Sequence, residues 1–213
     1  MILMVLSVVG SVGFALSGAL VGLEQEYDVF GVLVLGLVTA FGGGIIRNLI
    51  VGIPVAEIWH QGAPFVAALV AMILAMVLPI TWSHYGKTPI LVFDAVGLAT
   101  FAVEGALYAV DVHAPLGAIV AAATITGIGG GIVRDVLAQR KPMVLRDEIY
   151  AAWALLAGLA VGLGLVNPHR AWQVYGVILA VFLLRFLSVR LRWRLPRGPK
   201  PPSLGHNMES SGG

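Results

Sequence analysis

The sequence predicts an all-α membrane protein with seven transmembrane helices, arranged as two inverted three-helix repeats followed by a seventh helix. Three observations carry that expectation. Apolar residues fill 59% of the 213 positions and the mean hydropathy is +0.94, far above the roughly 45–50% apolar usage of soluble domains. Hydrophobic runs near the ~20 residues needed for a span recur at about 2–22, 29–51, 63–81, 89–110, 115–138, 149–166 and 171–189. Finally, the chain matches itself when displaced by 87 positions.

The first run lacks the basic leading segment of a signal peptide and carries Gly10, Gly13 and Gly18, so it reads as the first span. The breaks between runs are short and polar: Glu24 to Asp28, Pro54 to Gly62, His84 to Lys87, Asp111 to His113, Arg140 to Glu148 and Asn167 to Arg170. None has room for a soluble domain. Residues 1–195 therefore read as one transmembrane domain, with repeat one over about 2–81, repeat two over about 89–166 and the seventh helix over about 171–189. Beyond Leu195, Pro, Gly and Ser accumulate and periodicity ends, so 196–213 reads as a disordered basic tail.

Lysine and arginine set the orientation. With the C-terminus cytoplasmic, one side holds Lys87, Arg140, Lys141, Arg146, Arg190, Arg192, Arg194, Arg197 and Lys200, against Arg170 and Arg47 on the other. Seven spans then leave the N-terminus outside, in an inner-membrane multi-pass topology. Arg185 and Arg190 are expected to snorkel from a peripheral seventh helix. Tail residues are expected to lean on anionic lipid or simply to anchor the inner side.

The 87-residue displacement aligns Val9-Gly10, Phe14-Ala15 and Gly18-Ala19-Leu20 with Val96-Gly97, Phe101-Ala102 and Gly105-Ala106-Leu107. Without a gap it also aligns Thr39, Gly42, Gly43, Gly44, Ile45 and Arg47 with Thr126, Gly129, Gly130, Gly131, Ile132 and Arg134. Each copy holds three spans, an odd number, so the second enters the membrane upside down, as in transporters built on inverted repeats.

Three glycines in a row cost helix stability at roughly 1 kcal/mol each, and loosened backbone in a bilayer must be covered by protein or line a wet cavity. The triplets are therefore expected to break the second and fifth helices around a polar path; the alternative is close packing of helix on helix. Arg47 and Arg134 lie five residues past the first glycine of each triplet, where a guanidinium costs at least roughly 2.5–3.5 kcal/mol. Asp94, Glu104 and Asp135 are the acids well inside spans and the candidate partners. The arginines are either ion-pair staples or paired charges whose rearrangement gates a path. Asp94 and Glu104 stand where the first repeat has Ser7 and Ser17, which gives an asymmetric lining. The hydroxyls of Thr39 and Thr126 are placed to satisfy a freed carbonyl or touch an ion.

These residues resemble the bacterial branch of the trimeric intracellular cation channels, related to membrane proteins described under a glycine-transporter domain. The resemblance spans about residues 5–190 and rests on the doubled GGG-x-x-R motif. It implies a homotrimer with one pore inside each protomer, conducting K+ and other monovalent cations, with helices two and five kinked at their glycines.

Other residues read as scaffold. His60, His84, His113 and His169 fall near membrane surfaces without metal-site spacing, and Trp59, Trp82, Trp153, Trp172, Tyr27, Tyr85, Tyr108 and Tyr150 fall mostly at span ends as an aromatic belt. Glu24, Glu26 and Asp28 form an acidic cluster that either concentrates cations at a mouth or is a solvated loop. With no cysteine, disulfides and thiolate chemistry are excluded. No nucleophile pair, phosphate loop or dinucleotide fingerprint is present, so no enzyme, no resident metal and no nucleic-acid partner are expected. The expected ligands are membrane lipid and transported K+ or Na+. The rival to a channel is a carrier for a small zwitterion such as glycine, with its carboxylate at Arg47 or Arg134 and its ammonium at Asp94 or Glu104.

Overall fold

The computed structural model describes residues 1–60, 62–78, 88–145, 149–191 and 193, without the side chains of 58–60. Expectations for Trp82, His84, Tyr85, Lys87, Arg146, the 196–213 tail and the side chains of Trp59 and His60 lie outside the described residues. Among the described residues, seven α-helices run in chain order: α1 Ile2–Glu24, α2 Val29–Val51, α3 Gly62–Val77, α4 Thr88–Asp111, α5 Leu116–Leu137, α6 Ala151–Gly162 and α7 Ala171–Arg190. Five are long and apolar enough to cross a membrane; α3 and α6 are apolar but shorter, at 16 and 12 residues.

Local chemistry sets the boundaries. Asp28 caps α2, its carboxylate accepting from the Gly31 N–H at 2.7 Å, which satisfies one of the free donors of the first turn. Gly52 ends α2 in the left-handed region (φ 78°), the usual place for a residue without a Cβ. The 87-residue register persists in these connections. Glu26 and His113 both take φ 56°, and Gly52 (φ 78°) is matched by Gln139 (φ 54°). Tyr27 N–H donates to Gly22 O and Ala114 N–H to Ala109 O; Ile53 N–H donates to Asn48 O and Arg140 N–H to Asp135 O. Each pair of bonds is one bond repeated 87 residues on.

Helix contacts repeat as well. Within the first copy α1 packs on α2 and α3; within the second α4 packs on α5 and α6; α1 against α4 and α2 against α5 join the copies. Across α1 and α4, Ser7 meets Glu104 and Ser17 meets Ile90, so numbers rise in one helix as they fall in the other. The copies are therefore antiparallel, an inverted repeat. α4 is the most enclosed helix. α7 breaks the symmetry by packing on α4 and α6, and Leu179, Leu183 and Leu187 on its outer side stay exposed, as lipid-facing residues do in a helix bundle of this kind.

The triplets do not break their helices. α2 and α5 run as continuous α-helices through Gly42-Gly43-Gly44 and Gly129-Gly130-Gly131. What the glycines provide is proximity. A Cβ on Gly43 would lie 2.5 Å from the Thr126 carbonyl oxygen, one on Gly129 would lie 3.0 Å from Gly43 Cα, and one on Gly130 would collide with the Thr39 carbonyl. The expected break gives way to the alternative, a crossing of backbone on backbone that only small residues permit. The threonine hydroxyls follow: Thr39 donates to Leu35 O and Thr126 to Ala122 O, each at 2.6 Å. Such back-bonding to the carbonyl four residues earlier bends a helix without breaking it.

Candidate functional site

Two charged clusters flank this crossing, and the repeat relates them. The first comprises Arg134, Asp135, Asp94 and Ser17. Arg134 Nη1 donates to Ser17 Oγ at 2.5 Å and to Asp94 Oδ1 at 2.7 Å, and Nε donates to Asp135 Oδ1 at 2.9 Å. Asp135 Oδ2 accepts from the Met143 N–H at 2.9 Å, tying the cluster to the connection after α5. Arg134 and the Asp94 side chain are fully buried. Two carboxylates against one guanidinium leave a formal charge of −1, held by short, charge-assisted bonds.

A shift of 87 positions, down from Arg134, Asp135 and Asp94 and up from Ser17, gives the second cluster: Arg47, Asn48, Ser7 and Glu104. Arg47 Nε and Nη2 donate to Asn48 Oδ1 at 3.0 and 2.8 Å, and Asn48 Nδ2 reaches Pro54 O at 3.4 Å in the connection after α2. The Ser7 hydroxyl donates to Glu104 Oε1. The Arg47 guanidinium lies 4.1 Å from the centroid of the Tyr108 ring, within cation–π range. Ion pairing differs between the two: Arg134 has two carboxylate partners, whereas among the described residues no ion pair joins Arg47 to Glu104. The formal charge here is zero.

A cavity of about 20 Å³ lies on the Arg47 side, bounded by Ser11, Gly44, Phe101, Glu104 and Thr126 as well as Arg47 itself. The glycines and the two arginines thus converge on one region: the crossing in the middle, Arg47 beyond one side of it and Arg134 beyond the other.

The structure brings Arg134 together with Asp94, Asp135 and Ser17, and sets Arg47 and Glu104 around one cavity. Sequence reading missed Asn48 and assigned Tyr108, Tyr150 and Arg185 to the membrane surface. Asn48 was signalled by its register with Asp135. Tyr108 and Tyr150 are not belt residues, because each ring is turned toward an arginine. Tyr150 is buried with Arg185 stacked 4.4 Å from its centroid, so Arg185 is an interior residue of α7 and does not snorkel. Trp153 joins α6 to α7 through an Nε1–H donated to Ser188 Oγ at 3.3 Å, while Trp172 remains 70% exposed. The acidic cluster is divided: Asp28 is a helix cap, and Glu24 accepts from Arg140 Nη1 at 3.0 Å.

Seven helices in antiparallel repeats, with buried charges on either side of a central crossing, define an inverted-repeat membrane protein of the transporter and channel class. The family model described as "Glycine transporter" matches residues 4–79 and 91–165, one segment per repeat. The UPF0126 membrane protein YvgT of Bacillus subtilis is 50% identical over 192 residues, covering 90% of this chain and 94% of its own. Among solved structures, a prokaryotic TRIC channel determined in 0.5 M KCl is 35% identical with a TM-score of 0.80, covering 92% of this chain and 99% of its own. The trimeric intracellular cation channel orthologue of Rhodobacter sphaeroides is 33% identical with a TM-score of 0.75, covering 89% and 98%. This chain belongs to that family, in its bacterial branch.

Proposed function

We propose that the protein is a monovalent cation channel, conducting K+, with a pore inside each protomer of a homotrimer. The observation that carries this reading is the pair of symmetry-related arginine clusters on either side of the Gly43–Gly130 crossing. In this reading the crossing is the closed gate: backbone touches backbone, and a path opens when α2 and α5 part. Bare arginines would repel a cation, but here one is neutralised by Asp94 and Asp135 and the other shares its cavity with Glu104. Family relatives described as cation channels support the substrate class, and the trimeric name of the Rhodobacter sphaeroides orthologue supports the assembly.

Residues 1–195 form the single transmembrane domain of this reading, in the inner membrane. The N-terminus is outside, since Arg140 and Arg190 stand at the cytoplasmic end and Arg170 at the other. A second reading, a carrier for a small zwitterion, draws on the family model's printed description and on the presence of both charge signs beside one cavity. Planar-bilayer recording of purified protein in K+ and Na+ gradients separates them. A channel gives discrete cation-selective current steps; a carrier gives saturable glycine uptake and counterflow with no unitary current. If the crossing serves neither, Gly43→Leu and Gly130→Leu variants that still assemble will change neither current nor uptake.

A further inference from the structure

We propose that the cavity beside Glu104 is a station for one dehydrated monovalent cation, with the Glu104 carboxylate as its charged ligand. The proposal rests on the cation-channel reading and deepens it. The inverted repeat supplies the reasoning. Around Arg134, one guanidinium nitrogen bridges the serine of one copy and the acid of the other, Ser17 and Asp94. The equivalent pair for Arg47 is Glu104 and Ser7, yet these two bond each other and Arg47 is drawn off to Asn48 and the Tyr108 ring. Two differences between the copies accompany this: Tyr108 stands where the first repeat has Val21, and Asn48 stands where the second has Asp135. Arg47 therefore meets a ring face and an amide, where Arg134 meets two carboxylates.

The result is a buried carboxylate that no guanidinium pairs with among the described residues. Glu104 is 2% exposed, and its Oε2 has no hydrogen-bond partner among the described residues, an arrangement that costs heavily unless a cation, a proton or a polar group meets the oxygen. The cavity that Glu104 lines measures about 20 Å³, room for about one water-sized body and hence for a bare K+ rather than a hydrated one. Ser11 and Thr126 also line it and add oxygen atoms. A single carboxylate balances the charge of a monovalent ion and leaves a divalent one half-neutralised. Arg47 on the same wall keeps occupancy weak, as conduction requires, since an ion must leave as readily as it enters.

The test is calorimetric titration of purified full-length protein with Tl+, a K+ surrogate, run beside planar-bilayer recording in KCl. Wild type binds Tl+ saturably; Glu104→Gln weakens that binding at least about tenfold, roughly 1.4 kcal/mol. Gly44→Ala gives a second arm, because its new methyl meets only Arg47 Nη2, at 3.8 Å, and so fills the cavity without a clash; it too loses binding. Tl+ binding absent from wild type, or equal in wild type and folded Glu104→Gln or Gly44→Ala protein, overturns the station and marks a cavity that holds only water. Currents without Glu104-dependent binding refute the station and leave the channel standing; Glu104-dependent binding without currents does the reverse.

Discussion

Phe14 and Phe101, equivalent residues of the two repeats, meet edge to face with ring centroids 5.4 Å apart. Each ring fills the space of the other copy's missing side chain: Phe101 lies against Gly10, and Phe14 against Gly97 and Gly130. The identities that reveal the repeat in the sequence are thus mutual contacts across its pseudo-twofold axis. They persist in both copies because each glycine makes room for the other copy's phenylalanine.

Gly10→Ala and Gly97→Ala should therefore destabilise the protein to similar extents, by about 1–3 kcal/mol each, the usual cost of overpacking a tight core. Gly117→Ala, with nothing within 4 Å of the new methyl, should be neutral or mildly stabilising. Thermal unfolding in detergent, with the three variants side by side, checks the ranking.

Within the first triplet the middle glycine matters most. A methyl on Gly43 would reach within 2.5 Å of Thr126 O, whereas one on Gly42 or Gly44 meets nothing closer than 3.8 Å. Gly43→Ala should force α2 and α5 apart and change the fraction of time the channel is open; Gly42→Ala should leave gating near wild type. Single-channel open probability measures the difference.

The two clusters should respond differently to loss of their arginine. Arg134→Ala strands two buried carboxylates and should cost about 3–5 kcal/mol, as removal of one member of a buried pair does. Arg47→Ala leaves Glu104 with its Ser7 bond and should cost less. Chemical unfolding of each variant in the same detergent gives the order, and equal losses would mean that the formal charge difference between clusters has no energetic weight.

The Glu24–Arg140 pair at the bundle end is partly exposed, with side chains 39% and 21% accessible. Glu24→Gln should change stability by no more than about 1 kcal/mol, less still at high salt. A larger loss, read from the unfolding midpoint at two ionic strengths, would indicate that this pair holds the α1–α2 and α5–α6 connections together.

Much of the architecture was legible because its signals are local. The bounds of α2, 29–51, follow from an Asp cap at one end and a glycine stop at the other, and the inverted repeat follows from one ungapped register. α6 was placed over 149–166 but runs Ala151–Gly162, since Leu163, Leu165 and Val166 keep the composition apolar through a turn that Gly164 makes at φ 72°. The triplets were read as breaks because composition cannot separate a break from a close crossing. What decides it is the Thr126 carbonyl opposite Gly43, a neighbour distant in sequence. Tyr108 and Tyr150 were assigned to the membrane surface because proximity to a span end does not tell which way a ring turns; the arginines beneath them do.

The central claim is that cations cross one protomer where α2 passes α5. Single-channel recording of the purified protein in a KCl gradient, repeated with Arg134→Ala and Asp94→Asn, tests it most directly. The claim predicts discrete cation-selective steps whose size or gating changes in both variants while Trp172→Ala, on the exposed rim, behaves as wild type. Absence of unitary current from folded wild-type protein, or currents indifferent to both cluster substitutions, would contradict it.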